Sequence, residues 1–166
     1  MNRLESQIEY IRNAPKDNGL VKMIVIRPKK DERQTLKECY FSFKGGVEGD
    51  NWALGCWKSL PDGSPHPDVQ VSITNSRVLE TIEPSENRRA LAGNNLVVDL
   101  DLSDESLKPG DKLHIGDAVL EITDTPHNGC KKYQDRFGAE TLKFVNSKTG
   151  KQLHLRGIVT VRSRAY

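Results

Sequence analysis

Apolar residues in this chain come in short alternating runs, and proline or glycine closes nearly every one. Leu20 to Ile26 alternates and is stopped by Pro28. Val69 to Thr74, Asn94 to Leu100, Lys112 to Ile115 and Ala118 to Thr123 follow the same habit. A period of two reads as strands with one face in a core. The last two runs flank Gly116-Asp117, the strongest hairpin signal in the sequence. Leu36 to Phe43 reads as a further strand, followed by a glycine-rich loop, Gly45 to Asp50. Residues 51–68 read as a loop, with prolines at 61, 65 and 67. Strands this short must close upon one another to bury enough surface, and none is long enough to span a bilayer.

Helical periodicity is confined to four places. Residues 3–14 carry Leu4, Ile8 and Ile11 on one face, and Pro15 with Lys16 to Gly19 ends that helix. Asn75 or Ser76 caps a helix from Arg77 to Ile82. Asn128 is expected to cap a helix from Gly129 to about Phe137, which Gly138 stops. Ala139 to Val145 is the next helix, Ser147 to Gly150 turns the chain, and Leu153 to Val161 is a closing strand. The expected fold is mainly β, of α+β type. It is a closed or strongly curved β-barrel with a few peripheral helices, one domain over residues 1–166. Residues 1–19 are its N-terminal helix and linker.

Hydrophobic residues make up 36% of the 166 positions and charged residues 29%, which suits one soluble domain with a modest core. No apolar leader precedes the first helix, and three cysteines without a CxxC pair suit a reducing compartment. A cytoplasmic protein is therefore expected, with neither a membrane nor nucleic acid as partner. The net charge of +2 hides an asymmetry: residues 130–166 carry a net +7 and the first 129 residues a net −5. The basic quarter either attracts a small anionic ligand such as a phosphate or forms a solvated face.

The chemistry concentrates in Thr125-Pro126-His127-Asn128-Gly129-Cys130-Lys131-Lys132. With Asn128 as cap, Cys130 lies at the second helical position, near the positive end of the helix dipole and beside two lysines. Both influences favour the thiolate, a nucleophile and a soft metal ligand. His127 adds a polar contact one turn earlier. The alternative is a buried structural cysteine with a surface histidine. Cys56, between Trp52 and Trp57, reads as packing, and Cys39 as core. Asp50 in the glycine-rich loop and Asn95 after Gly93 are further candidates for holding a ligand, or simply turn residues.

The ordered set of short motifs resembles the MOSC family (molybdenum-cofactor sulfurase C-terminal domain). It comprises Val47-Glu48-Gly49-Asp50, Val69-Gln70-Val71-Ser72-Ile73, Gly93-Asn94-Asn95-Leu96 and Lys108-Pro109-Gly110-Asp111. Ile115-Gly116-Asp117, the lone Cys130 and Leu155-Arg156-Gly157-Ile158 continue it. The resemblance covers residues 45–161 and implies a MOSC-type barrel with Cys130 at the family's cysteine position. That cysteine ligates molybdenum of the pterin cofactor, molybdopterin, or carries sulfur from a pyridoxal-phosphate desulfurase. Asp50, Asn95, His127, Asn128, Lys131, Lys132 and Arg156 are the candidates to line a cofactor site in this chain, Lys131, Lys132 and Arg156 compensating for basic groups that the family carries near its cysteine. Three departures stand out. Gly49-Asp50-Asn51-Trp52 replaces the common G-D-R-H, and Pro126-His127-Asn128-Gly129-Cys130 replaces P-R-x-P-C. The N-terminal barrel of the larger cofactor-binding members is missing.

Three functions follow from this. One is a molybdenum-dependent oxidoreductase that reduces N-hydroxylated compounds, with Cys130 on the metal and electrons from a partner protein. Another is a sulfur carrier with a Cys130 persulfide, loaded by a cysteine desulfurase whose pyridoxal phosphate belongs to that partner. The last is a β-barrel binding module without catalysis.

Overall fold

The computed structural model describes residues 2–164. Among the described residues nine strands form in chain order: β1 (Leu20–Ile26), β2 (Gln34–Leu36), β3 (Phe41–Ser42), β4 (Gly46–Val47), β5 (Val71–Asn75), β6 (Leu96–Asp99), β7 (Lys112–Ile115), β8 (Ala118–Ile122) and β9 (Ile158–Arg162). The α-helices are α1 (Ile8–Arg12), α2 (Ser76–Ile82), α3 (Glu86–Arg89), α4 (Lys131–Phe137), α5 (Ala139–Val145) and α6 (Lys148–Gln152). Seven strands make one mixed sheet in the order β2-β1-β6-β5-β9-β8-β7, and β3 pairs with β4 separately. The sheet curls into a half-barrel with helices around it. It keeps two edges, β2 and β7, so the strong curvature expected from the sequence is present and closure is not.

Strand alternation divides the core. Leu96 and Val98 of β6 face one apolar cluster with Ile73, Leu120 and Ile158. Val97 between them faces the other, with Val78, Leu79, Tyr133 and Leu155. The three consecutive residues are all nearly inaccessible, as a strand covered on both faces requires. Asn75 caps α2 by accepting from the Arg77 N–H.

Several local expectations change. The run 36–43 is two strands, because Lys37 and Glu38 lie outside the ladder and only Leu36 and Phe41 keep apolar partners. The loop 45–50 contributes β4, in which Gly46 faces Ser42. Ser147 begins α6 rather than a turn, its hydroxyl accepting from the Gly150 N–H at 2.9 Å. The closing strand starts only at Ile158. Residues 153–157 turn sharply, with His154 at φ 51° and Gly157 at φ 115°. Only glycine fits at 157: a Cβ there would lie 2.3 Å from the Ile73 carbonyl oxygen. Finally, α4 begins at Lys131, and Cys130 rather than Asn128 is its cap residue, in extended conformation. Among the described residues no helix is long and apolar enough to cross a membrane.

Candidate functional site

Topology gathers four chain segments at one end of the sheet. β1 leaves there toward Arg27, antiparallel to β6, which Gly93 enters. β9 begins there after Arg156, and β8 leaves beside it toward residues 124–130. Together with residues 51–57 these segments enclose a cleft of about 890 Å³, a volume typical of small-molecule sites. Cys130, exposed at its rim, lines it.

The cleft is cationic. Arg27, Lys30, Arg33, Lys131, Lys132, Arg136 and Arg156 line it, against the single carboxylate of Asp31. Three of these charges are matched. The buried Asp50 holds Arg27 bidentately, Oδ1 to Nε at 3.1 Å and Oδ2 to Nη2 at 2.8 Å. Asp31 lies 3.3 Å from Arg136, and Asp135 lies 3.1 Å from Lys131. Lys30, Arg33, Lys132 and Arg156 have no carboxylate partner among the described residues.

Arg156 is the centre of this arrangement. It donates to Asn94 Oδ1 at 2.5 Å and to the Ala92 carbonyl at 3.0 Å. Its guanidinium stacks 4.6 Å from the centroid of the Tyr133 ring. Burial lowers its pKa, opposed by Tyr133 and Cys130, and a guanidinium so lowered still carries its charge at neutral pH. Burial, with Arg136 and Arg27 nearby, takes Arg33 down to about 10. Several buried polar nitrogens around the cleft lack any partner: Arg33 Nε, Trp52 Nε1, Asn94 Nδ2, His127 Nδ1 and Arg156 Nε. Unpaired buried groups are uncommon, and these five are most of the set among the described residues, Ser76 Oγ and Arg162 Nε being the others.

Burial pushes the Cys130 thiol up. The N–H groups of Tyr133 and Lys132, with Arg156 and Arg136, more than offset this, so its pKa lies below the usual value. The two N–H groups act at longer range than a formed capping hydrogen bond. The charges that act on the sulfur are thus arginines, one of them from the turn that precedes β9, while Lys131 turns to Asp135. His127 is neutral at pH 7: burial, then Arg156 and Arg27, hold its pKa well below the ordinary range.

The structure brings Cys130, His127, Asn128, Lys131, Lys132 and Arg156 to one cleft. Asp50 stands behind the wall, fixing Arg27 and accepting from the Trp52 N–H at 3.2 Å. Asn95 lies elsewhere, inaccessible in the sheet, where it joins Ser72 and Val25. Sequence reasoning did not find Arg27, Lys30, Arg33 or Arg136. The run Arg27-Pro28-Lys29-Lys30 was the available signal, masked by its acidic surroundings in the first 129 residues. Cys56 also lines the cleft, its thiol donating to the Lys58 carbonyl at 2.6 Å, beside Trp52 and an exposed Trp57. Cys39 packs against the core, and burial raises its pKa.

No protein-family model matches the chain, and no curated protein resembles it in sequence. Solved structures do resemble it. A hypothetical protein superposes with a TM-score of 0.54 at 18% identity, over 84% of this chain and 59% of that one. YiiM from Escherichia coli gives 0.53 at 16% identity, over 86% and 61%. YiiM from Geobacillus stearothermophilus gives 0.52 at 14% identity, over 87% and 67%. The chain therefore spans about three-fifths to two-thirds of the length of these structures. At such identities the likeness is one of fold, and the half-barrel described above is the fold this chain shares with the YiiM proteins.

Proposed function

We propose that this chain is a MOSC-type domain whose cationic cleft holds the molybdenum cofactor, with the Cys130 thiolate as the protein's ligand to the metal. The observation that carries the reading is the set of unneutralised cations and unpartnered donors around one activated thiol. A phosphate-bearing ligand rich in acceptors answers both features. The likeness in fold to YiiM and the ordered sequence motifs support it.

The donor set fits the group. No cluster of three or more His, Cys, Asp or Glu exists among the described residues, so a metal at Cys130 must arrive with ligands of its own. Arg156, Arg33, Lys30 and Lys132 would hold the phosphate, and Cys130 would hold the metal. When bound, the cofactor supplies atom-transfer chemistry, here the reduction of N-hydroxylated compounds with electrons from a partner protein. The chain's own contribution is orientation and charge. Arg156 is held by Asn94 and the Ala92 carbonyl, so its charge is ordered before any ligand arrives. Neutral His127 is suited to accept or donate a hydrogen bond at Nδ1 without adding charge.

The exposure of Cys130 favours a second reading, a sulfur carrier. The thiolate attacks the outer sulfur of a partner's persulfide, the partner's S–S bond breaks, and the partner cysteine leaves as a thiolate. Protein purified from cells that make molybdopterin separates the two. The cofactor reading predicts a pterin, detected by fluorescence after oxidation, together with molybdenum. One extra sulfur atom on Cys130 by intact mass, with no pterin, supports the carrier. Neither signal supports the non-catalytic binding module.

A further inference from the structure

Cys130 ends a stretch without regular structure that begins at Thr123, yet its position is defined. The residue before it, Gly129, is gripped from across the molecule. The Gly129 N–H donates to Asn146 Oδ1 at 2.8 Å, and Asn146 Nδ2 donates to the Gly129 carbonyl at 3.0 Å. The side-chain amide thus pairs with one residue's donor and acceptor together, as a neighbouring strand would. Asn146 is itself fixed at the end of α5, its N–H donating to Leu142 at 3.0 Å. Gly129 is not in the left-handed region. Its lack of a side chain matters through packing: a Cβ there would lie 2.7 Å from Leu142 Cδ1 and 3.0 Å from Val145 Cγ2.

We propose that Asn146 is a positioning residue for Cys130, holding Gly129 against α5 so that the sulfur sits before the Lys132 and Tyr133 N–H groups and within reach of Arg156. This rests on Cys130 being the functional thiol, but not on any cofactor. The clamp explains why the helix begins at Lys131: with Gly129 paired to Asn146, Cys130 stays extended. Only an amide serves. Aspartate at this position keeps the acceptor, loses the donor and sets a charge against the Gly129 carbonyl.

The test is the iodoacetamide alkylation rate of each cysteine at pH 7, read by peptide mass. Cys130 is already exposed, so a loosened loop gains nothing from access and loses the groups that favour thiolate. Asn146→Ala is expected to slow Cys130 about threefold or more relative to Cys56 in the same molecule, as the sulfur drifts from the Lys132 and Tyr133 N–H groups and from Arg156. Asn146→Gln, which keeps both halves of the amide, should recover part of that loss, and Asn146→Asp should not. An unchanged Cys130-to-Cys56 ratio, or glutamine no better than alanine, overturns the proposal. Faster labelling of Cys39 along with Cys56 would mean general loosening and overturns it too. Should these variants fail to fold, hydrogen exchange of the wild-type Gly129 amide decides: it must be protected, and free exchange contradicts the clamp. Because no cofactor enters these measurements, their failure is distinct from an absence of molybdenum.

Discussion

Asn94 and Asn95 are neighbours in the chain and opposites in their surroundings. Asn95 is wholly satisfied: Oδ1 accepts from the Ser72 N–H, Nδ2 donates to the Val25 carbonyl, and its backbone N–H donates to Ser72 Oγ. It ties β1, β5 and β6 together in the middle of the sheet. Asn94 faces the other way, its Oδ1 on Arg156 and its Nδ2 without a partner. The contrast extends to the regions each belongs to. Around Asn95 in the sheet, polar groups are matched and serve stability, although Arg162 Nε at the far end of β9 has no partner. In the cleft, donors and cations exceed what the protein supplies to meet them. An excess of that kind is costly for folding alone and makes sense as a surface built for something else.

Substitution at Asn95 gives the largest expected effect. Asn95→Ala strands the Ser72 N–H and the Val25 carbonyl in the core and should cost about 3 kcal/mol, read as a shifted urea midpoint with unchanged slope. The alkylation rate of Cys130 should stay as it is under conditions where the variant is folded. Arg156→Met should behave in the opposite sense. It removes a buried charge that no carboxylate balances, so stability should move by less than about 1 kcal/mol. Affinity for inorganic pyrophosphate, measured by calorimetry, should fall about tenfold or more. If Arg156→Met unfolds the protein while pyrophosphate binding survives in what remains, the two regions do not differ as described.

Asp101 sharpens the comparison at its smaller end, because it too is a matched polar group. Burial pushes its carboxyl up, while Lys16, Ser106 and Ser103 pull harder, leaving it at about 2. The folded value lies below the unfolded value near ~3.9. Its contribution is therefore present above about pH 4 and is lost as pH falls toward about 2. Asp101→Asn should be less stable than wild type at pH 6, and the gap should narrow steadily between pH 4 and pH 2. A gap that stays constant with pH would show that the ionised carboxylate adds nothing.

The sequence disclosed what local physics decides. Leu20–Ile26 and Ala139–Val145 were readable to the residue, because alternation in one and flanking Gly138 in the other are self-contained signals. The Asn75 cap and the Gly116-Asp117 hairpin belong to the same class. What could not be read depends on distant partners. Asn128 looked like a cap because the grip of Asn146 on Gly129 spans 17 residues. β4 was hidden, and β3 was merged with the end of β2 into one strand, because β3 and β4 pair over only two residues. The site was half legible: Cys130, His127 and the lysines beside it are contiguous. Arg27 and Arg33 reach the cleft only through topology, and Arg136 through the turn of α4 that follows Cys130. Arg156 entered through its motif rather than through any local pattern.

As proposed, Cys130 is the protein's hold on a metal brought by an anionic cofactor. Molybdenum per chain decides it, measured by elemental analysis on wild type and Cys130→Ser purified side by side from cells making molybdopterin. Close to one molybdenum per chain is expected in the wild type and little in Cys130→Ser, with both proteins equally folded. Molybdenum retained in Cys130→Ser at the wild-type level, or absent from both, would contradict it.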